Sequence, residues 1–137
     1  MKTLAKTLFT GALLFVSAFA SATTHLDTAQ GIFKQSYKQH VYISDEEQYH
    51  VSEKWVASLK GDCEDFALYV RKELLSQNIN SDLWIARTEK GELHVVLRLN
   101  TDEGEVVADN RYNKLIDKDV LGYKWIAKVS DTVLQKY

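Results

Sequence analysis

Proline is missing from this 137-residue chain, cysteine occurs once, glycine six times, and neither sign of charge dominates. A single thiol has no partner for an intramolecular disulfide, so a cross-linked scaffold is excluded. With 17 basic against 19 acidic residues there is no cationic footprint of the kind that a dedicated nucleic-acid binder carries. Sparse glycine and absent proline also rule out collagen-like and low-complexity chains. The longest apolar stretch, Leu8 to Phe19, is only about 12 residues, short of the roughly 20 that a membrane-spanning helix needs. What is present, 45% hydrophobic and 26% charged residues, describes an ordinary globular protein held by an apolar core.

That early apolar stretch belongs to a different device. Lys2 and Lys6 precede it, and Ala18-Phe19-Ala20 and Ala20-Ser21-Ala22 close it with two small-x-small cleavage sites. The pattern predicts a signal peptide over residues 1–22, with the mature chain starting at Ser21 or Thr23. An uncleaved anchor is the competing reading, and the shortness of the run disfavours it. Export would remove two lysines and leave 15 basic against 19 acidic groups, about −4 in all. Residues 23–137 are enough for one modest domain.

Along that domain, Leu26, Ala29, Ile32, Phe33 and Tyr37 recur at helical spacing. Ser44-Asp45-Glu46-Glu47 has the form of a capping box, and Val51 to Leu59 reads weakly as a further helical piece around Trp55. After Gly61, Asp62 is a suitable N-cap for a helix from Cys63 to about Gln77. The period then changes. Leu83–Thr88, Leu93–Asn100, Glu105–Asp109 and Tyr123–Val129 are short runs rich in Val, Ile, Leu and Trp, separated by turns and by a polar stretch from Arg111 to Asp119. Helices followed by consecutive strands predict an α+β domain, with helices on one face of an antiparallel sheet.

Cys63, Ala67, Val70 and Leu74 fall on one stripe of the central helix, with the cysteine at its N-terminal end. A helix start lowers a thiol pKa and favours the nucleophilic thiolate. A buried structural cysteine would occupy the same stripe, so periodicity leaves both readings open. On the strand after it, Leu93, Val95, Leu97 and Leu99 form one apolar face, and His94, Val96 and Arg98 lie on the other. If Thr101 to Gly104 is a four-residue loop, Asn100 pairs with Glu105 and Val96 opposes Asp109, which makes Asp109 a diagonal neighbour of His94 on the same face. A two-residue loop keeps that parity. A nucleophile, a base and an orienting carboxylate in this order follow the triad logic of acyl transfer.

These residues resemble a known family. Gly61-Asp62-Cys63-Glu64-Asp65-Phe66-Ala67, followed by His94-Val95-Val96-Leu97 and Ala108-Asp109-Asn110, is similar to the bacterial transglutaminase-like cysteine proteinases of the papain/transglutaminase superfamily. The resemblance spans roughly residues 42–125. It implies a papain/transglutaminase-like fold, with a cysteine-bearing helix packed on an antiparallel sheet, and a peptidase whose catalytic residues are Cys63, His94 and Asp109. Some members are periplasmic, calcium-dependent proteases that release large adhesins, with the metal held by acidic residues flanking the cysteine. Asp62, Glu64 and Asp65 match those positions and imply Ca²⁺, although helix capping accounts for the same residues.

Departures from the family are a short chain and the absence of its Trp-x-x-Pro element, where Trp55-Val56-Ala57-Ser58 stands instead. The expectation is therefore an exported cysteine peptidase with a protein or peptide substrate. It needs neither nucleic acid nor a membrane span after signal cleavage. An amine-accepting acyl transferase or a catalytically silent binding module of the same fold are the alternatives.

Overall fold

The computed structural model describes residues 25–137, and the expected signal peptide lies outside them. Helix α1, His25–Gln39, buries Ala29 and Phe33, two members of the predicted apolar stripe. A two-residue strand β1, Val41–Tyr42, leads to a one-turn helix α2, Asp45–Tyr49. The Ser44 hydroxyl accepts from the Glu47 amide to start α2, and His50, in the left-handed region at φ 59°, ends it.

No helix forms over residues 51–59, contrary to the weak expectation there. The backbone amides of that segment are taken by acidic residues instead of by its own carbonyls. Lys54 donates to the Asp45 carboxylate, Val56 to Asp65 Oδ1 at 2.8 Å, and Ser58 to the Asp65 carbonyl at 3.2 Å. An amide already satisfied by a buried acceptor has nothing to gain from helix formation.

Strand β2, Lys60–Gly61, pairs in parallel with β1 and delivers the chain to helix α3, Cys63–Ser76. Phe66, Ala67, Leu68, Val70 and Leu74 of α3 are buried, and with Phe33 and Ala29 they pack on Leu83, Leu97 and Leu99 of the sheet. The sheet contains β3, Asp82–Arg87, β4, Leu93–Thr101, β5, Gly104–Ala108, β6, Ile116–Asp117, and β7, Lys124–Lys128, in the order β6-β5-β4-β3-β7. A last short helix, α4, spans Asp131–Leu134. All neighbours in the five-stranded sheet run antiparallel.

The β4–β5 register is Asn100 opposite Glu105 and Leu97 opposite Ala108, as the turn arithmetic requires. The loop itself is shorter than the four residues expected. Thr101 and Gly104 are paired, leaving only Asp102 and Glu103 in the turn, and Gly104 takes the positive φ of 113°. The polar stretch after Asp109 is not only a connector, since it contains the edge strand β6.

The face of the sheet away from the helices is also covered. Ala86, Val96, Val107, Leu121 and Tyr123 form a second buried cluster, flanked by Trp84, Tyr112, Ile116 and Trp125. Arg98 is accommodated there by its guanidinium stacking over Trp84 and Trp125, at 4.2 and 4.7 Å, while its Nε donates to Glu105 at 2.7 Å. His94 lies under this second layer, so it is buried, with 8% of its surface exposed. Among the described residues no helix is long and apolar enough to cross a membrane.

Candidate active site

Asp65 requires a glycine at position 61. A Cβ there would sit 2.2 Å from Asp65 Oδ2 and 2.6 Å from Asp65 Cβ. The bare backbone lets Asp65 fold back over the helix start, where its Oδ2 accepts from the Asp62 amide in a reciprocal capping box. That box fixes the first turn of α3 and with it the position of Cys63.

Cys63 comes to the sheet at a notch. β5 leaves β4 after the pair Leu97–Ala108, so among the described residues the first part of β4 has no strand on that side. There the Val95 amide favours the ionised form of the Cys63 sulfur. A helix approaching one face of the sheet and a histidine on the other can meet at such an open edge. Cys63 and His94 line one cleft of about 300 Å³, together with Glu53, Trp55, Glu64, Ile85, Leu93 and Val95.

His94 Nε2 lies 2.8 Å from Asp109 Oδ1. Asp109 is fully buried, and its Oδ1 also accepts from the Arg111 amide at 2.9 Å. Burial pushes the Asp109 carboxyl up, but the hydrogen bond and charge of His94, with donors from Tyr123 and Arg111, outweigh it and hold the pKa below the ordinary value. With Nε2 committed to Asp109, Nδ1 is the ring nitrogen left for proton exchange in the cleft.

Around the thiol the electrostatics run the other way. Burial and then the Glu64 charge raise the Cys63 pKa, and the sulfur sits 3.2 Å from Glu64 Oε2. Glu64 itself is pushed up to about 9 by burial and by hydrogen bonds shared with Glu53 and Asp62. Asp65 is raised to about 6 and Asp62 is raised as well, burial leading in each case.

Five carboxylates crowd this corner, two more than the three expected from sequence. Asp45, Glu53 and Glu64 bring ligand atoms within 4.8 Å of one another, and so do Asp45, Asp62 and Asp65. Asp45 is 2% exposed, and its Oδ1 has no hydrogen-bond partner among the described residues. Asp62 Oδ1 is likewise buried and unpartnered. Orphaned carboxylate oxygens within a group of this charge fit an oxygen-preferring cation. Asp65 is the most committed of the set, with one oxygen accepting from Val56 and the other from Asp62. No sequence signal marks Asp45 or Glu53 as members, because a capping box and a loop explain them locally.

Residues 16–137 match the family described as bacterial transglutaminase-like cysteine proteinase. The chain belongs to that family. As a bacterial transglutaminase-like cysteine proteinase it is a cysteine peptidase, in agreement with the resemblance read from Gly61 to Ala67. Its fold is that of LapG from Legionella pneumophila. Calcium-bound LapG superposes with a TM-score of 0.61 at 17% identity, covering 79% of this chain and 71% of LapG. LapG treated with EGTA gives 0.60 at the same identity, covering 79% and 69%. No curated protein matches the sequence.

Proposed function

We propose that the protein is an exported peptidase that cleaves a protein substrate through a Cys63–His94–Asp109 triad. The observation carrying this reading is the 2.8 Å contact of His94 Nε2 with the fully buried Asp109, in a cleft that Cys63 also lines. The Cys63 sulfur attacks the scissile carbonyl carbon and its proton passes to His94 Nδ1. Collapse of the tetrahedral intermediate breaks the C–N bond, and His94 returns that proton to the departing amine. Water then attacks the thioester, His94 takes one of its protons, and the acid product leaves as the thiol reforms. Asp109 holds the imidazole in the orientation this exchange needs and stabilises the imidazolium. Export rests on Lys2, Lys6 and the apolar run closed at Ala22, and places the enzyme in the periplasm or outside the cell.

Calcium is part of this reading. Asp62 and Glu64, with Asp45, Glu53 and Asp65, would hold Ca²⁺, and the orphaned oxygens of Asp45 and Asp62 support it. LapG, of the same fold, has been obtained calcium-bound. When bound, the cation supplies positive charge that neutralises carboxylates otherwise opposing ionisation of the adjacent thiol.

The deciding experiment compares exported proteins and their fragments between wild type and Cys63→Ala. Fragments that vanish in the variant identify the substrate, and identical fragment patterns overturn the assignment. Product masses with and without an added amine distinguish hydrolysis from acyl transfer.

A further inference from the structure

Asp109 receives three donors, of which the triad reading uses one. Its Oδ1 is shared by His94 Nε2 and the Arg111 amide, while its Oδ2 accepts from the Tyr123 hydroxyl at 2.5 Å. The phenol has a single proton to give, and its direction is fixed by a neighbour. Arg111 Nη1 approaches the Tyr123 phenol oxygen at 3.1 Å. A guanidinium only donates, so the phenol oxygen must accept from it and turn its own proton towards Asp109.

The Tyr123 ring also stands edge-on to the imidazole, with centroids 6.1 Å apart and planes at 89°. It is buried and packs on Trp125, 5.8 Å away. The residue therefore touches both members of the His94–Asp109 pair, one through its hydroxyl and the other through its ring.

We propose that Tyr123, oriented by Arg111, is a positioning residue for the His94–Asp109 pair. The proposal rests on the Cys63–His94–Asp109 triad reading. Two donors on Oδ1 alone would leave Oδ2 of a buried carboxylate without a partner, free to swing towards any competing donor. The hydroxyl on Oδ2 locks the carboxylate plane, so that Oδ1 faces His94 Nε2 and the imidazole keeps its proton on that nitrogen. Burial and then the Asp109 hydrogen bond raise the phenol pKa, which keeps Tyr123 a donor throughout the working range.

The test is Tyr123→Phe, which keeps the ring and removes the hydroxyl. The readouts are ¹⁵N NMR of the His94 ring and the rate at which iodoacetamide labels Cys63, with His94→Ala alongside. The wild-type ring should be the Nε2–H tautomer with a downfield, hydrogen-bonded proton. In Tyr123→Phe that proton should move upfield and the tautomers mix, with labelling slower by on the order of tenfold. Purely structural packing by Tyr123 would leave the tautomer untouched. An unchanged His94 ring and unchanged labelling overturn the proposal, while slow labelling in His94→Ala preserves the triad. Labelling indifferent to His94→Ala overturns both. Should Tyr123→Phe fail to fold, Arg111→Met releases the phenol with the ring in place. The same change of tautomer then supports the proposal, and none overturns it.

Discussion

Cys63 shares its cleft with Val95, the residue immediately after His94, and the Val95 backbone amide favours the ionised sulfur. The amide is available because β5 ends opposite Leu97, leaving the start of β4 open on that side. In the proposed triad this sets Cys63 beside the strand that bears His94, so a displacement of α3 from β4 would separate the two. Hydrolysis should depend on both side chains. Cys63→Ala is expected to abolish fragment release, and His94→Ala to lower it by about 10² or more. Cys63→Ala should melt close to wild type, whereas His94→Ala takes a donor from the buried Asp109 and should melt lower. Retained activity in either one would remove it from the mechanism.

Asp109→Asn leaves the shape of the site intact but reverses its hydrogen-bond polarity. An amide nitrogen turned to His94 Nε2 would force the ring into the wrong tautomer. Activity is expected to fall by about 10² to 10⁴ with substrate affinity nearly unchanged. A rise in KM with kcat preserved would argue that Asp109 shapes the substrate cleft.

Gly61→Ala tests the capping geometry. The new Cβ would meet Asp65 at 2.2 Å, and the first turn of α3 must give way. A loss of about 1–3 kcal/mol is expected by urea denaturation, with Cys63 labelling slowed as well. Wild-type stability would show that Asp65 can move away freely.

Removing one acid from the cluster should weaken calcium. Asp45→Asn and Glu53→Gln are each expected to lower Ca²⁺ affinity by on the order of tenfold in calorimetric titration. Asp45 also accepts the Lys54 amide and Glu53 the Trp55 indole N–H, so a melting curve accompanies each variant. Wild-type affinity in both would place the ion elsewhere.

Stability against pH carries its own signature. Without metal, folding raises Glu64 to about 9 and Asp65 to about 6, so the folded state binds these protons more tightly than the unfolded one. The chelated protein should gain stability as pH falls from about 9 towards the ordinary carboxylate range, and lose it again as pH rises. Asp109 has the opposite sign. Its pKa is lowered on folding, so its contribution is complete above the ordinary value of 3.8 and disappears as pH falls through the folded one. Melting temperatures in chelator should therefore peak in mild acid, and saturating Ca²⁺ should flatten the alkaline limb. Identical curves with and without the ion would show that the carboxylates do not hold it.

Much of the site is local, and local physics is legible in a sequence. The Gly61-Asp62-Cys63 helix start, the apolar stripe behind it and the parity that sets Asp109 beside His94 all come from periods of 3.6 and 2 and from one turn. Three features depended on the tertiary structure. Residues 51–59 form no helix because Asp45 and Asp65, each nine residues from the amide it takes, capture the Lys54 and Val56 amides. Asp45 and Glu53 join the acidic cluster only because β1 pairs with β2 and brings that segment over the helix start. Tyr123 reads along the chain as an ordinary strand residue, and meets Asp109 only when β7 closes the far edge of the sheet. Spacing along a chain specifies which residues can share a face. Which donor finds which buried acceptor is decided by the folding of distant segments onto one another, since each buried polar group takes the partner that packing brings within reach.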